Sequence, residues 1–426
     1  MAIEHWIWLQ QALGAGSNKL TGVLDRFEDP EAVYRAGEDE LRAAGVFSVT
    51  DLRKLSAHDL SEASKIMEAC LKSGYTVLTA ADERYPKRLL RIFNPPVLLY
   101  MKGSLPPIDD EVVIAIVGTR RATAKGMEAS ASLAARLARA GVLIVSGGAE
   151  GIDGAAHRGA LAVEAQTVAV LGGGLDVSYP RANAELRKEI AGHGCLLSEY
   201  PPGTRPLPGN YPVRNRIISA LSLGTVIIEA GERSGALLTA GHALEQGKDI
   251  FVLPGEEDAP NYVGSNQLIR DGTKPLLSAM DVLEEYVDGY PHKLDLRTAF
   301  DHMPPAYMEA LTAAMRGQPA AGPPRRRRTA VGRSDAAKTR APQEGPERKP
   351  AEAVMEKAIR KPATLPEALT GPARLLYENF PEEASGVDGL SVVTGLPAGE
   401  ILTALTELEI FGLVKALPGG RYERLK

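Results

Sequence analysis

Between residues 112 and 253 the chain alternates short apolar segments with longer segments of helical spacing, and each apolar segment leads into a glycine-containing turn. The strand-like segments are Val112–Val117, Val142–Val145, Thr167–Leu171, Thr225–Glu229 and Ile250–Leu253. The helical segments are Gly126–Ala140, Asp153–Val163, Ala182–Ala191 and Leu237–Gln246. Strands that alternate with helices at this spacing form βαβ units, whose parallel strands are buried between two layers of helices. The pattern predicts an α/β fold, a Rossmann-like parallel sheet within a domain of residues 72–290.

A smaller helical domain is predicted before the sheet, over residues 1–71. Short segments of helical spacing are separated there by Gly14, Gly16 and Gly45. The glycines of the loop Gly14–Lys19 are typical of a SAM-like or helix–hairpin–helix unit. Two interpretations stay open for this domain: direct contact with DNA through that loop, or docking.

Two further regions follow the predicted sheet. Residues 301–363 are rich in Pro, Ala and Arg, and residues 325–361 contain 12 basic and 5 acidic side chains. This composition predicts a flexible basic linker, which acts either as a solubilising tether or as an arm that attracts DNA. Residues 364–426 carry three helical segments and then a short hairpin pattern, which is the layout of a winged helix.

The charge of the predicted winged helix argues against a role in reading duplex DNA. Its third helix, the one that would enter a groove, carries Glu400, Glu407 and Glu409 and no basic residue before Lys415. Residues 363–426 hold 5 basic and 9 acidic side chains, and an acidic surface repels phosphate. We expect this domain to contact protein rather than DNA. The apolar residues expected in its core are Leu402, Leu405, Leu408 and Phe411.

Composition argues against several other classes of protein. The two cysteines, Cys70 and Cys195, give neither a disulfide framework nor the spacing of a metal site. No apolar run approaches the roughly 20 residues that span a bilayer, and the N-terminus does not resemble a signal peptide. We expect a cytoplasmic protein with no metal, no cofactor and no membrane association. The net charge of −5 argues against coating nucleic acid by bulk electrostatics but allows a local basic site.

The turns after the predicted strands share one chemistry. In a doubly wound sheet these turns gather at the carboxyl edge, where ligands bind. Glycine lets the backbone approach a ligand closely, and the helix N-termini that follow present unpaired N–H groups. Tight turns alone would explain one or two such glycine loops but explain five poorly, so we predict an anion site. The turns are Gly118–Arg121, Ser146–Gly151, Gly172–Gly174, Glu229–Gly231 with Ser234-Gly235, and Pro254-Gly255.

The anion predicted at this edge is single-stranded nucleic acid. The first turn lacks the Gly-x-Gly-x-x-Gly spacing of a dinucleotide site, and the chain has no P-loop sequence. In the segment Asn210–Arg216, Tyr211 comes three residues before Arg214, with Asn215 and Arg216 following. Aromatic faces stack bases and guanidinium groups bind phosphates, which together hold single strands without sequence preference. Further cationic side chains around this edge are expected to be Arg120, Arg181 and Arg205.

Catalysis is the weaker interpretation. His157, four residues after Asp153, is placed to act as a base on a helix, but no serine or cysteine nucleophile has an evident partner. Glu199 and Glu229, at strand ends, could polarise a sugar hydroxyl, as in a nucleotide phosphoribohydrolase of the lysine-decarboxylase-like Rossmann group. That group usually has a Pro-Gly-Gly-x-Gly-Thr segment, and Pro254-Gly255-Glu256 does not continue that way. We expect a non-enzymatic binding protein and keep this hydrolase as the alternative.

Several separated motifs resemble the DprA/Smf (DNA-processing protein A) family in order and spacing, from about Tyr75 to Leu277. They are Ile116–Arg120, Ser146–Ala149 with Gly151–Asp153 and Ala156-His157, Tyr179-Pro180 with Asn183, Ser198–Pro201, Tyr211-Pro212 with Arg214–Ser219, Ser234–Ala240, and Gly264–Asn266 with Leu268-Ile269. The resemblance implies an extended Rossmann fold, a homodimer formed through that domain, and binding of single-stranded DNA. It also implies loading of a RecA-type recombinase onto DNA taken up in natural transformation, past single-strand-binding protein.

The resemblance also assigns roles to individual residues. Arg120 falls on the family's phosphate-gripping arginine, Arg181 lies where a basic contact is common, and Tyr211 falls on the aromatic that stacks a base. Pro208 departs from the pattern, because many members have a lysine three residues before that aromatic; nearby Arg205 would compensate. The full predicted DNA-binding set is Gly118, Thr119, Arg120, Ser146, Gly147, Gly148, Ala149, Gly174, Arg181, Asn183, Arg205, Tyr211, Arg214, Asn215, Arg216, Ser234, Gly235 and Thr239.

Overall fold

The computed structural model describes residues 2–300, 371–381, 385–397, 400–401, 404–405, 407–408, 413–417 and 421–424. The chain divides into two compact units, Met1–Thr329 and Ala330–Lys426, and each is described by itself. The basic linker predicted at 301–363 lies outside the described residues, as do Leu402, Glu409 and Phe411 of the winged helix. Within the described residues, no helix combines the length and apolarity needed to cross a membrane.

Six helices form the N-terminal part of the first unit: α1 (Ile3–Leu13), α2 (Lys19–Leu24), α3 (Pro30–Arg35), α4 (Glu38–Ala43), α5 (Val49–Leu55) and α6 (Ser61–Ser73). Local sequence signals set their ends. Asp29 caps α3 by accepting from the backbone N–H of Ala32, and Ser48 and Asp51 form a reciprocal capping box on α5. The apolar face of α1, with Ile7 and Leu9 fully buried, packs in one continuous core with residues of the sheet.

A nine-stranded sheet follows: β1 (Thr76–Thr79), β2 (Leu98–Gly103), β3 (Val113–Val117), β4 (Leu143–Ser146), β5 (Thr167–Leu171), β6 (Cys195–Ser198), β7 (Gly224–Ile227), β8 (Asp249–Val252) and β9 (Lys274–Pro275). The strand order is β1-β2-β6-β5-β4-β3-β7-β8-β9. From β6 to β9 all neighbours pair in parallel, whereas β1 and β2 form an antiparallel extension beside β6. The predicted α/β fold with a parallel sheet is confirmed, and β6 lies outside the five predicted strand segments.

Helices cover both faces of this sheet: α7 (Ala124–Arg139), α8 (Ile152–Ala162), α9 (Ala184–His193), α10 (Asn210–Leu221), α11 (Gly235–Glu245), α12 (Val263–Arg270), α13 (Met280–Tyr286) and α14 (Arg297–Phe300). Alternate residues of β3 point to opposite faces, so Ile114 joins the core under α7 and α8 and Ala115 the core under α10 and α11. The chain leaves β3 in one direction to β4 and returns on its other side as β7. This reversal is the topological switch point, where doubly wound sheets bind ligands.

The second unit has the winged-helix architecture predicted for it. Its described elements are α15 (Gly371–Glu378), β10 (Ser385–Gly386), α16 (Val387–Thr394), β11 (Val414–Leu417) and β12 (Arg421–Arg424), with strand order β10-β12-β11. Leu405 and Leu408 are buried in its core, as predicted. The guanidinium of Arg424 lies 4.1 Å from the ring centroid of Tyr377.

Candidate nucleic-acid interface

The turn after β3 places an arginine in the open at the switch point. Its backbone is fixed because the N–H of Thr119 donates to the carbonyl of Glu229, 2.7 Å away. Arg120 follows as an exposed residue, and its guanidinium carbon lies 4.2 Å from the ring centroid of Tyr211. Such a separation is a cation–π contact. An exposed cation is therefore held in a defined position at the carboxyl edge of the sheet.

The turn after β4 is shaped by buried polar side chains. Asn183 donates through Nδ2 to the carbonyl oxygens of Gly148 and Ala149, at 3.2 and 2.8 Å. Ser146 donates to the carbonyl of Ile116 at 2.6 Å. Both side chains are buried, so they hold the turn in place from behind instead of facing a ligand. A Cβ atom on Gly147 would overlap Arg214, so glycine is required there by packing.

The first turn of α10 carries the aromatic residue predicted for base stacking. Asn210 ties this turn to the β5 loop by donating through Nδ2 to the carbonyl of Gly172 at 2.9 Å. Tyr211 is half-buried beneath Arg120, with Arg214 at 5.7 Å from its ring centroid. Burial raises the pKa of Tyr211 above its ordinary value although the two arginines act in the opposite direction, so the phenol is neutral at neutral pH.

Arg214 is a buried cation, contrary to the simple expectation of a solvent-facing phosphate contact. Its Nη1 donates to the carbonyl of Val170 at 2.6 Å, and its charge faces the buried carboxylate of Asp153. Burial lowers the pKa of the Arg214 guanidinium, and Asp153 opposes that shift. Arg214 therefore lines the floor of the second cavity as a buried residue that faces Asp153, and it is not a solvent-facing phosphate contact.

Arg216 lies on a different side of α10. Its Nη2 donates to Oε1 of Glu199 at 2.8 Å, and both side chains are more than nine-tenths buried. An arginine already paired in this way is not available to fork onto a phosphate. Arg216, which was predicted to bind DNA, is therefore a structural residue and not part of the proposed interface.

The turn after β7 closes the other side of the site. Ser234 caps α11 by accepting from the N–H of Ala236 at 3.3 Å, and Asn215 donates to the carbonyl of Gly235 at 3.2 Å. Glu229 is buried and accepts from Thr123 and from Asn261 at 3.2 Å. It thus holds Thr123, the N-cap residue of α7, and does not project as a free carboxylate.

Two neighbouring cavities, of about 470 and 460 Å³, open at this edge. The first is bounded by the turns after β4 and β5, and the second by the turns after β3 and β7. Arg120, Ala149 and Tyr211 line both, so the cavities flank the Arg120–Tyr211 stack. Fourteen predicted residues line them: Gly118, Thr119, Arg120, Gly147, Gly148, Ala149, Gly174, Arg181, Tyr211, Arg214, Asn215, Ser234, Gly235 and Thr239. Arg205 is exposed but lies outside both linings.

Several lining residues were not predicted. Arg121 and Arg233 are exposed and line the second cavity, and half-exposed Tyr179 lines the first. The sequence signal was available for the two arginines, since each stands within a turn already assigned to the edge. Together the cavities are lined by six arginines and three acidic residues, so the site is basic in a chain of net charge −5. Among the described residues, no group of three or more His, Cys, Asp or Glu side chains is placed to hold a metal ion.

Comparison with known proteins accounts for both units. Residues 76–287 match the family model described as DNA recombination-mediator protein A, and residues 360–420 match the DprA winged helix domain. The protein Smf of Synechocystis sp. is 32% identical over 432 aligned residues, which cover 99% of this chain and 98% of that protein. The chain belongs to the DprA/Smf family.

Other members of the DprA/Smf family give the same answer. The DNA processing protein DprA of Bacillus subtilis is 39% identical over 221 residues, which cover 52% of this chain and 74% of that protein. The X-ray structure of DprA from Streptococcus pneumoniae superposes with a TM-score of 0.58 and 33% identity, over 66% of this chain and 97% of that one. The family resemblance predicted from the sequence motifs is confirmed, and with it a DNA-processing, recombination-mediator role.

Proposed function

We propose that this protein binds single-stranded DNA without sequence preference across the two cavities that flank the Arg120–Tyr211 stack, and passes that DNA to a RecA-type recombinase. The observation that carries the proposal is the stack itself, a planar cation fixed on an aromatic ring between two glycine-walled cavities. Membership of a recombination-mediator family supports DNA as the ligand.

The chemistry of the lining favours a phosphodiester backbone. Exposed Arg120, Arg121, Arg181 and Arg233 are positioned around the cavities, and the N-terminus of α11 lies beside the second one. Guanidinium groups and helix N-termini both bind phosphate oxygens without reading the base. Binding through these groups is expected to be tight at low salt and independent of sequence.

The recess of the site favours a single strand over a duplex. Tyr211 is only half-exposed and lies between cavities large enough for individual nucleotides, so a base must leave its partner strand to reach it. Bases unstacked in this way gain contact with aromatic rings and guanidinium planes. Duplex DNA keeps its bases paired and offers the site only its phosphates.

A non-enzymatic role is supported by how the candidate catalytic groups are used. Glu229 accepts from Thr123, the N-cap residue of α7, and Glu199 accepts from Arg216 through Oε1, so each carboxylate is buried in a contact within the protein. His157 is fully buried, bonded through Nδ1 to Thr167, and burial lowers its pKa to about 3. None of the three lines either cavity. A nucleotide phosphoribohydrolase would need one of these groups within reach of its substrate.

The recombinase handover, displacement past single-strand-binding protein and a homodimer belong to the same proposal. The acidic winged helix, which repels phosphate, supports a protein-contacting role for that domain. The test compares fluorescence anisotropy of labelled oligothymidylate with that of a duplex of equal length, for the full chain and for Arg120→Ala. We expect preference for the single strand and loss of affinity in the variant. Equal affinity for both DNAs, or an unaffected variant, contradicts the site.

A further inference from the structure

The glycine loop between α1 and α2, for which contact with DNA and docking were both left open above, lies against Glu199 and the start of α10. The backbone N–H of Gly16 donates to Oε1 of Glu199 at 3.0 Å, the same oxygen that accepts from Arg216 of α10. Lys19, at the end of the loop, pairs with Asp51 within the helical domain. These donors are used inside the protein and are not presented to a phosphate.

The loop also contacts α10 through a tight apolar packing. Gly16 has a φ of +72°, and a Cβ built on it would lie 2.5 Å from Cγ1 of Val213. Val213 belongs to the first turn of α10, and the side-chain rotamer of valine in a helix is stiff. A side chain at position 16 would therefore displace either the loop or the start of α10.

Helix periodicity links this contact to the DNA site. Tyr211, Arg214 and Asn215 are spaced i, i+3 and i+4 and all line the second cavity. Val213 and Arg216, spaced i and i+3, form a separate row, in which Val213 lies against Gly16 and Arg216 donates to Glu199. Both rows belong to the N-terminal half of one helix, so displacement of the second row also displaces the first.

We propose that the Gly16–Glu199 contact positions the first turn of α10, so that docking of the N-terminal helical domain sets the affinity of the site for single-stranded DNA. Glu199 is a positioning residue in this arrangement: it joins the loop to Arg216 without contacting the ligand. This inference rests on the proposed function of the site. It makes the helical domain an intramolecular regulator of strand binding.

The experiment measures affinity for labelled oligothymidylate in four full-chain variants. Gly14→Ala is the matched control, because Gly14 also has a positive φ, +89°, but has no atom within 4 Å of a built Cβ. Gly16→Ala is expected to weaken binding about three- to tenfold, which lies in the lower part of the range for coupling between contacting residues, and Gly14→Ala to bind as wild type. Val213→Ala removes the obstructing methyl groups, so the double variant Gly16→Ala/Val213→Ala is expected to regain affinity over Gly16→Ala.

Salt dependence separates positioning from direct contact. Displacement of α10 is expected to lower affinity at every salt concentration while the slope of log K against log salt stays unchanged. A lower slope in Gly16→Ala would mean that the loop itself binds phosphate, which overturns the proposal. So would equal affinity in Gly14→Ala and Gly16→Ala.

Hydrogen exchange on the unmodified chain gives a test that does not depend on a variant folding. Coupling between two sites is reciprocal, so saturating oligothymidylate is expected to slow exchange of the Gly16 amide. No change in that amide overturns the proposal. Arg120→Ala, measured alongside, distinguishes failure of the proposed DNA site from failure of the positioning role. If Arg120→Ala binds DNA as wild type, the DNA site is wrong. If Arg120→Ala is impaired and Gly16→Ala is not, only the positioning role is wrong.

Discussion

The guanidinium of Arg120 lies 4.2 Å from the ring centroid of Tyr211, so the aromatic face predicted to stack a base is already covered by an arginine. Arg120 is itself exposed, and a guanidinium plane stacks bases as an aromatic ring does. We infer that a base meets Arg120 first, with Tyr211 acting as the platform that holds the arginine flat. One residue then serves both the base and the phosphate.

This arrangement predicts that lysine cannot replace Arg120. Arg120→Lys keeps the positive charge but lacks the planar group that lies on Tyr211 and under a base. Loss of a cation–π contact of about 1 kcal/mol is expected to weaken binding of oligothymidylate about fivefold. Because the charge remains, the salt slope is expected to match that of wild type.

Comparison of Arg120→Lys with Arg120→Ala separates the role of the planar guanidinium group from the role of its charge. That variant is expected to lose affinity and also to lower the salt slope by about 0.7, the value for one phosphate contact on a single strand. Anisotropy titrations at four salt concentrations measure both quantities. If Arg120→Lys bound as tightly as wild type, charge alone would account for Arg120 and the stack would have no role.

Gly147 is predicted to be essential for stability. A Cβ at this position would overlap Arg214 and lie 2.5 Å from Oδ2 of Asp153, two buried charged groups that cannot readily move apart. Overpacking of this kind costs about 1–3 kcal/mol, so Gly147→Ala is expected to lower the free energy of unfolding by that amount. Urea denaturation of the full chain measures it.

Gly235 provides the matched control for Gly147. A Cβ on Gly235 meets no atom within 4 Å, its φ is not in the left-handed region, and it begins α11. Because alanine has the higher helix propensity, Gly235→Ala is expected to be neutral or slightly stabilising. A Gly147→Ala variant as stable as Gly235→Ala would remove the packing argument.

Strand and helix alternation was enough to predict the sheet, because burial on both faces leaves a continuous apolar signal in each parallel strand. The same signal predicted most of the residues that line the two cavities, because the turns at the carboxyl edge of such a sheet gather there. The pattern does not predict α10, because the residue types of the segment from Asn210 indicate a binding function and say nothing of a helix there. On a helix, residues two apart point about 200° from each other, so Arg214 and Arg216 separate.

Long-range partners were the other source of error. Ser146 and Asn183 lie near the expected turns, but their side chains donate to the carbonyl oxygens of Ile116 and Ala149. Both partners are about 30 residues away in sequence, so local spacing does not predict these contacts. The same holds for Glu199, whose partners are Gly16 and Arg216. Side-chain direction, not residue position, decides which polar groups face a ligand.

Buried His157 is predicted to make the protein less stable in mild acid. Burial lowers its pKa from 6.5 to about 3, so between these values the unfolded chain binds a proton that the folded chain excludes. Stability therefore falls as pH falls below 6.5, by at most about 1.4 kcal/mol per pH unit from this residue. Denaturation curves between pH 7 and about 4.5 measure the slope.

A non-titrating variant isolates the contribution of His157. Thr167 Oγ1 donates to the carbonyl of Ile144, so it accepts from His157 Nδ1, and the amide of asparagine can donate in the same way. His157→Asn is expected to be less stable at neutral pH, because it is smaller, but to show a shallower acid slope. An unchanged slope would assign the acid sensitivity to other groups.

Two exposed arginines, one inside the cavity lining and one outside it, test whether DNA binds in the cavities or along a general basic surface. Arg181 lines the first cavity. Arg205 lines neither cavity, although the next residue, Pro206, lines the first. If phosphates follow the cavities, Arg181→Ala is expected to lower the salt slope by about 0.7 and weaken binding, while Arg205→Ala leaves both unchanged. If the two variants weakened binding equally, the DNA would also contact the exposed surface outside the cavities, with Arg205 as one of its contacts.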